Sequence, residues 1–318
     1  MSIQVFLKFV EIQTKLASLL PFLIGLLFTL YRFGEFSPLN TIVFFSCMII
    51  FDMTTTAINN YMDFLKATDC CYKKTSNVIG QENIPEKKVK ITIIALLVIA
   101  ITLGIWLVYL TSLLVLLIGI ICFTIGIFYT FGPIPLSRLP LGEVFSGVTM
   151  GLGIIFLIIY VNTQHLNILV VEVAQRQLLI SLNIVELLII LLISIPSILS
   201  IANVMLANNI CDLEEDISNN RYTLVYYIGK KAAIILFKWM YYLSGIAVLS
   251  AIFFNILPLH TVGLLILVAG QINKNLKAFA HKQVKSKTFV FSIKNLILVN
   301  GSIILSLIIE LSLTAIGL

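Results

Sequence analysis

The residues best suited to chemistry lie in two short stretches. One is Asn208-Asn209-Ile210-Cys211-Asp212-Leu213-Glu214-Glu215-Asp216, where four carboxylates fall within five residues after an apolar run from Ile184 to Ala207. So much negative charge at the mouth of a hydrophobic segment is costly unless a cation binds there. On a helix Asn208, Asp212 and Asp216 are spaced i, i+4, i+8 and share one face. Such a face can offer several oxygens to a hard cation such as Mg²⁺. An acidic helix end solvated at a membrane surface would look the same when taken alone. The second stretch, Asn59-Asn60-Tyr61-Met62-Asp63, also closes an apolar run and is followed by Lys66 and Asp69. Both read Asn-Asn-x-x-Asp, and a chance polar cap does not explain two copies.

Paired acidic clusters cannot hold an anion directly. They can hold Mg²⁺ at Asp63, Asp69, Asp212 and Asp216, and the metal can bridge to a diphosphate. Lys66 and Arg221, beside the two clusters, can neutralise the remaining phosphate charge. A diphosphate at the mouth of an apolar bundle suggests a substrate with a polar head and a hydrocarbon tail, such as an isoprenyl diphosphate. Loss of metal-bound diphosphate would leave an allylic cation, which a dry site protects from water.

The elements that must position these residues are membrane helices. The 318 residues are 59% hydrophobic and 11% charged, with Lys and Arg exceeding Asp and Glu by a net +6, and the mean hydropathy is +1.06. Soluble domains carry about 25% charged residues, so the expected fold is an all-α polytopic membrane protein. Helices of about 20 apolar residues are expected at 14–32, 39–60, 90–109, 112–131, 143–161, 184–207, 232–254, 256–273 and 291–314. These make a single domain over 1–318, a bundle of about nine spans. The first is expected to be retained rather than cleaved as a signal. The segment 162–183 reads as polar and partly helical at the interface.

With the N-terminus cytoplasmic, every Lys and Arg except Arg32 and Arg176 falls on the cytoplasmic side, as the positive-inside rule requires. This places the C-terminus outside, both Asn-Asn motifs on the cytoplasmic face and a central cavity open to the cytoplasm. The expected location is the plasma membrane. The basic balance reads as topology and attraction to anionic membrane lipids, and the basic loop Asn273–Ser292 as topogenic. Nucleic-acid binding is excluded, because the basic residues sit in short loops without interleaved aromatics. The five cysteines show no spacing of a disulfide framework or zinc site.

The two motifs carry a resemblance. The chain resembles the UbiA-type superfamily of intramembrane prenyltransferases, whose signatures are Asn-Asp-x-x-Asp near the end of helix 2 and Asp-x-x-x-Asp at the end of helix 6. Asn-Asn-Ile-x-Asp-x-x-x-Asp with a following Thr-Leu, and Gly-Pro-x-Pro-Leu…Leu-Gly-Glu after helix 4, are similar to its menaquinone branch, the 1,4-dihydroxy-2-naphthoate polyprenyltransferases. The resemblance implies nine helices, Mg²⁺, a polyprenyl diphosphate and an aromatic acceptor, dihydroxynaphthoate, prenylated with loss of CO₂ to give a demethylmenaquinone at its dihydroxy (quinol) level. The chain departs from the pattern at Asn60, where the first Asp is usual, and at Cys211, where Arg is common. Asn220, Arg221 and Tyr222 stand in place of Gly, Lys and Arg.

Single residues extend the expected site. Asp52 lies inside helix 2, on the same side as Asp63 at about three turns. It either faces the cavity and binds or deprotonates the acceptor hydroxyl, or hydrogen-bonds a neighbouring helix. Asn59, Asn60, Asn208 and Asn209 are expected to support the substrate site, with Tyr129 and Arg138 lining the diphosphate pocket. Glu143 reads as an acid suited to a helix start. Rival readings are prenyl transfer to 4-hydroxybenzoate or haem, a transporter with an acidic cation site, and a homologue without activity.

Overall fold

The computed structural model describes residues 1–66, 77–132, 135–174 and 177–317. Asp69 and its neighbours lie outside the described residues. We label the long helices α1 (Leu16–Phe33), α2 (Pro38–Lys66), α3 (Glu86–Leu110), α4 (Leu113–Thr130), α5 (Gly142–Asn162), α6 (Ile184–Cys211), α7 (Leu224–Phe253), α8 (Thr261–His281) and α9 (Val290–Ile316). Among the described residues, seven are long and apolar enough to cross a membrane by length and composition. The other two are α4, which is short, and α8, whose second half turns polar from Gln271 onward. The expected count of nine spans is therefore not established, whereas the all-α membrane class is.

The long helices turn large apolar side chains outward, as a lipid solvent allows, and bury hydroxyl and amide groups such as Ser197, Ser200, Asn203, Asn295 and Asn300 inside the bundle. Ile94, Val98, Ile105 and Trp106 of α3, and Ile235, Trp239 and Ile246 of α7, are exposed. α6 forms the centre and packs on α7, α9 and α5, while α2 packs along α3. Close approach of α5 and α6 depends on small residues. A Cβ on Gly151 would stand 2.5 Å from the Ile198 nitrogen, and one on Gly147 would stand 2.7 Å from the Ile198 oxygen. Here α5 widens into a π-helical stretch, Gly147–Gly153, a distortion that is frequent at functional sites.

Three boundaries differ from expectation. Segment 162–183 is an antiparallel hairpin, β1 (Leu169–Ala174) on β2 (Gln177–Leu182), after one short turn of helix. The Val- and Leu-rich runs Leu169–Val173 and Leu178–Leu182 pair with each other, so each strand supplies the other's backbone hydrogen-bond partners. The range of α7 begins early, at Leu224, because a short helical stretch, 224–228, precedes the main helix and is set off from it by a kink at the non-helical Gly229, φ 78° and ψ 154°. α8 runs on to His281, past the end of its apolar stretch.

One end of the bundle is tied by Arg32 of α1, which donates two hydrogen bonds of 2.8 and 2.9 Å to Glu186 at the start of α6. At the opposite end the N-terminal helix Ile3–Phe9 seats Phe9 and Val10 in a cluster with Ala57 of α2 and Val89 of α3. That end carries both motifs.

Candidate functional site

The mouth of the bundle is built from the ends of α2 and α6. α6 stops at Cys211, and a short helix, Leu213–Ser218, follows after the break at Asp212. The break at Asp212 does not disperse the acidic face. Asp212 N–H still donates to the Asn208 carbonyl at 3.0 Å, and Asp216 N–H to the Asp212 carbonyl at 2.8 Å. The short helix ends in a left-handed cap at Asn220, φ 56°. Asn220 N–H donates to the Ile217 carbonyl at 3.1 Å and Arg221 N–H to the Asp216 carbonyl at 2.8 Å, which is the Schellman arrangement. Asn is among the few residues other than Gly that adopt this conformation readily. The cap turns the chain back so that Arg221 leans over the carboxylates.

Arg221 then joins the two motifs. Its guanidinium forms an ion pair with Asp63 of α2 and lies 4.0 Å from Asp216. Arg138, at the end of the short helix Leu136–Arg138, belongs to the same group. Its guanidinium pKa is lowered by burial and by the neighbouring Arg221, against the opposing pull of Asp63 and Asp216. Asp216 is buried. Burial pushes its carboxyl up to about 6, with Arg221 opposing the shift and Asp212 adding to it. Asp212 is ion-paired with Lys285, from the loop between α8 and α9.

Asn59, one turn before Asp63, lines a cavity of about 700 Å³ walled chiefly by α2, α3, α4 and α5. Asn59, Thr56, Thr55 and Asp52 line it along α2, Tyr129 along α4, and Ser146 and Thr149 along α5. Deeper, the walls are apolar, with Phe44, Met48, Phe123, Val115, Ile154 and Leu157. Tyr129 Oη is 3.5 Å from the Gly142 carbonyl.

Several expected residues are thus brought together: Asp63, Asp216, Asp212, Arg221 and Arg138 at the mouth, and Asn59, Tyr129 and Asp52 along the cavity. Asn208 sits half-buried one turn before Asp212. Lys66 closes α2. Asn60 and Asn209 do not join them. Asn60 is buried and donates to the Phe9 carbonyl at 2.9 Å and to Glu11 at 3.2 Å, so it anchors the N-terminal segment. The reason is helical: residues 59 and 63 share a face, and residue 60 is rotated about 100° away. Asn209 likewise points into the bundle and donates to Glu143 at 2.8 Å.

Asp52 has its partners within the protein. Lys15 donates to Asp52 Oδ1 at 2.6 Å, and Ser18 Oγ donates to Oδ2 at 2.6 Å. A carboxylate with both oxygens so engaged is poorly placed to take a proton from an acceptor.

Sequence reasoning missed four residues here. Lys15 and Ser18 pair with Asp52, and a lysine at the start of an apolar run, opposite an intramembrane Asp, was the available signal. Glu143 is 4% exposed, and its Oε2 has no hydrogen-bond partner among the described residues. It pairs with Asn209, although both belong to the motifs that carry the resemblance. Lys285 gave no local signal within a basic loop.

The residues suit a divalent cation by their chemistry. Asp63, Asp212 and Asp216 offer hard oxygen donors, and each already faces a cationic group that balances its charge. Among the described residues no three His, Cys, Asp or Glu side chains converge as a metal site; Arg221 stands beside Asp63 and Asp216, and Lys285 beside Asp212.

The chain is 29% identical over 225 residues to the 1,4-dihydroxy-2-naphthoate octaprenyltransferase of Bacillus subtilis (strain 168), covering 70% of this chain and 66% of that protein, just under two thirds of its length. Its fold is similar to the apo structure of a UbiA homolog from Aeropyrum pernix K1, with a TM-score of 0.67 and 18% identity over 92% of this chain and 98% of that one. A UbiA homolog from Archaeoglobus fulgidus, bound to GPP and Mg²⁺, matches with a TM-score of 0.61 and 13% identity over 97% and 99% of the two chains. The model of the UbiA prenyltransferase family matches residues 18–298. The chain therefore belongs to the UbiA prenyltransferase family and is a multi-pass membrane enzyme of that class.

Proposed function

We propose that the protein transfers a polyprenyl group from a polyprenyl diphosphate to 1,4-dihydroxy-2-naphthoate, with loss of CO₂, in a Mg²⁺-dependent reaction. The observation that carries this is the meeting of Asp63 and Asp216, one from each motif, on Arg221, one helical turn beyond Asn59, which lines an apolar cavity. Similarity to the naphthoate octaprenyltransferase supports the acceptor, and the GPP- and Mg²⁺-bound relative of the same fold supports donor and metal.

In this reading Asp63, Asp212 and Asp216, with Asp69, would hold Mg²⁺, whose charge would make diphosphate a better leaving group. Arg221 and Arg138 take phosphate oxygens through charge-assisted hydrogen bonds. The prenyl tail runs down the cavity wall of α2. Phe44 lies about 28 Å deeper than Asp63 along that helix, at a rise of about 1.5 Å per residue. Apolar walls keep water from the allylic cation until the ring carbon bearing the carboxylate attacks. The new carbon–carbon bond forms there, and the carboxylate leaves as CO₂ with its bonding electrons returning to the ring. Asn59 and Tyr129 orient the acceptor from the cavity wall. Asp52 positions α1 against α2 through Lys15 and Ser18.

We further read residues 1–318 as a single catalytic domain in the plasma membrane. The N-terminus and both motifs are cytoplasmic and the C-terminus is outside, as the distribution of Lys and Arg supports. The purified protein should be given one prenyl diphosphate and a panel of 1,4-dihydroxy-2-naphthoate, 4-hydroxybenzoate and haem. Prenylation of the naphthoate with CO₂ release supports the assignment. Turnover of another acceptor alone overturns the acceptor and keeps prenyl transfer.

A further inference from the structure

We infer that Lys285 is a counterion that exchanges between Asp212 and the substrate diphosphate, so that metal and prenyl diphosphate bind cooperatively. The inference rests on the prenyl diphosphate reading above and adds a residue from a loop that carries no motif.

The loop is built to deliver this one side chain. Thr288 Oγ1 accepts from Val284 N–H at 2.8 Å, and the Lys287 and Thr288 N–H groups donate to the Val284 carbonyl at 3.0 and 2.8 Å. Gln283 ties the turn back to α8 by donating to the Phe279 and Ala280 carbonyls. After the turn, Phe289 and Phe291 pack on the cluster that holds Ile210, Cys211 and Leu213. The turn therefore rests on the end of α6, and Lys285, at its tip, reaches Asp212. Of the loop's lysines 282, 285 and 287, Lys285 alone is ion-paired among the described residues. Its side chain is 57% exposed while that of Asp212 is 11% exposed, so the lysine can swing away whereas the carboxylate is fixed.

The charge balance then dictates coupling. A metal arriving alone must displace Lys285 from Asp212 and leave that lysine without an anion. A metal arriving with diphosphate supplies the replacement anion at the same place. Each ligand therefore favours the other, and by linkage the effect is reciprocal. The lysine's three donors on a flexible stem suit such a transfer better than a fixed guanidinium fork does.

The test is calorimetric titration of the full-length protein in detergent with Mg²⁺, with geranyl thiolodiphosphate as a non-ionising probe, and with each in the presence of the other. The unaltered protein should bind Mg²⁺ about tenfold tighter in the presence of the probe, within the ordinary range of coupling. Lys285→Gln should bind Mg²⁺ alone several-fold tighter, bind the probe more weakly and lose most of the coupling. Lys285→Arg should keep most of it. A Lys285→Gln protein with undiminished coupling overturns the exchange while leaving the prenyl diphosphate site standing. Absence of metal-dependent probe binding in the unaltered protein overturns both.

Discussion

Arg221 and Asp63, 158 residues apart in the chain, form the ion pair that closes the mouth of the bundle. It is the physical link between the two Asn-Asn-x-x-Asp motifs, and Asp216 stands within 4.0 Å of the same guanidinium. A cation held between two acids that are themselves proposed metal ligands has two uses. It keeps the acids from repelling one another before substrate arrives, and it is placed to take a phosphate oxygen afterwards.

Removing that cation tests the second use. Arg221→Ala should lower kcat for prenyl transfer by about 10²–10³-fold, the usual cost of deleting one preorganised group that stabilises developing charge. Arg221→Lys should retain part of the rate, since it keeps the charge and loses the bidentate fork. Steady-state kinetics on the purified variants decide this. A rate in Arg221→Ala within about twofold of the unaltered protein would remove Arg221 from the phosphate site.

Asp52, Lys15 and Ser18 should behave as a structural set. Lys15→Met leaves a largely buried carboxylate unpaired, which should cost about 3–5 kcal/mol of stability. Lys15→Met combined with Asp52→Leu should recover most of it, because well-packed apolar replacements of a buried pair are often neutral. Thermal unfolding in detergent reads the cycle. If Asp52→Leu alone abolishes turnover while leaving stability unchanged, Asp52 acts on the acceptor instead.

Gly151→Ala should destabilise the protein by about 1–3 kcal/mol, the usual cost of overpacking. Its new Cβ would stand 2.5 Å from the backbone nitrogen of Ile198, so α5 must move away from α6. A lowered midpoint of thermal unfolding, with a similar change in the cavity that Thr149 and Met150 line, is the expected result. An unshifted midpoint would show that the two helices can part at no cost.

How much of this was legible in the sequence follows from what each residue depends on. The two motifs, their common face and the helical class were readable, because composition, charge distribution and i, i+4 spacing are local properties. Arg138 and Tyr129 could be nominated from their loop and helix end. Helical spacing separates Asn59 and Asn208, on the faces of Asp63 and Asp212, from Asn60 and Asn209; what the latter two pair with, the Phe9–Glu11 segment and Glu143, depends on tertiary packing and was not readable. Lys285 was illegible for a related reason. Its pairing with Asp212 depends on where the α8–α9 turn lands, and Phe289 and Phe291 fix that by packing on the end of α6. The hairpin at 169–182 was hidden because short apolar runs fit strand and helix equally well.

Metal-dependent release of diphosphate tests the central claim most directly. The purified protein is supplied with a radiolabelled prenyl diphosphate and 1,4-dihydroxy-2-naphthoate, first with Mg²⁺, then with a chelator, and then as the Asp63→Asn and Asp216→Asn variants with folding confirmed by circular dichroism. The account predicts diphosphate release with Mg²⁺, none with the chelator, restoration on adding Mg²⁺ back, and near-complete loss in both folded variants. Undiminished release in the chelated protein, or in both variants, would contradict it.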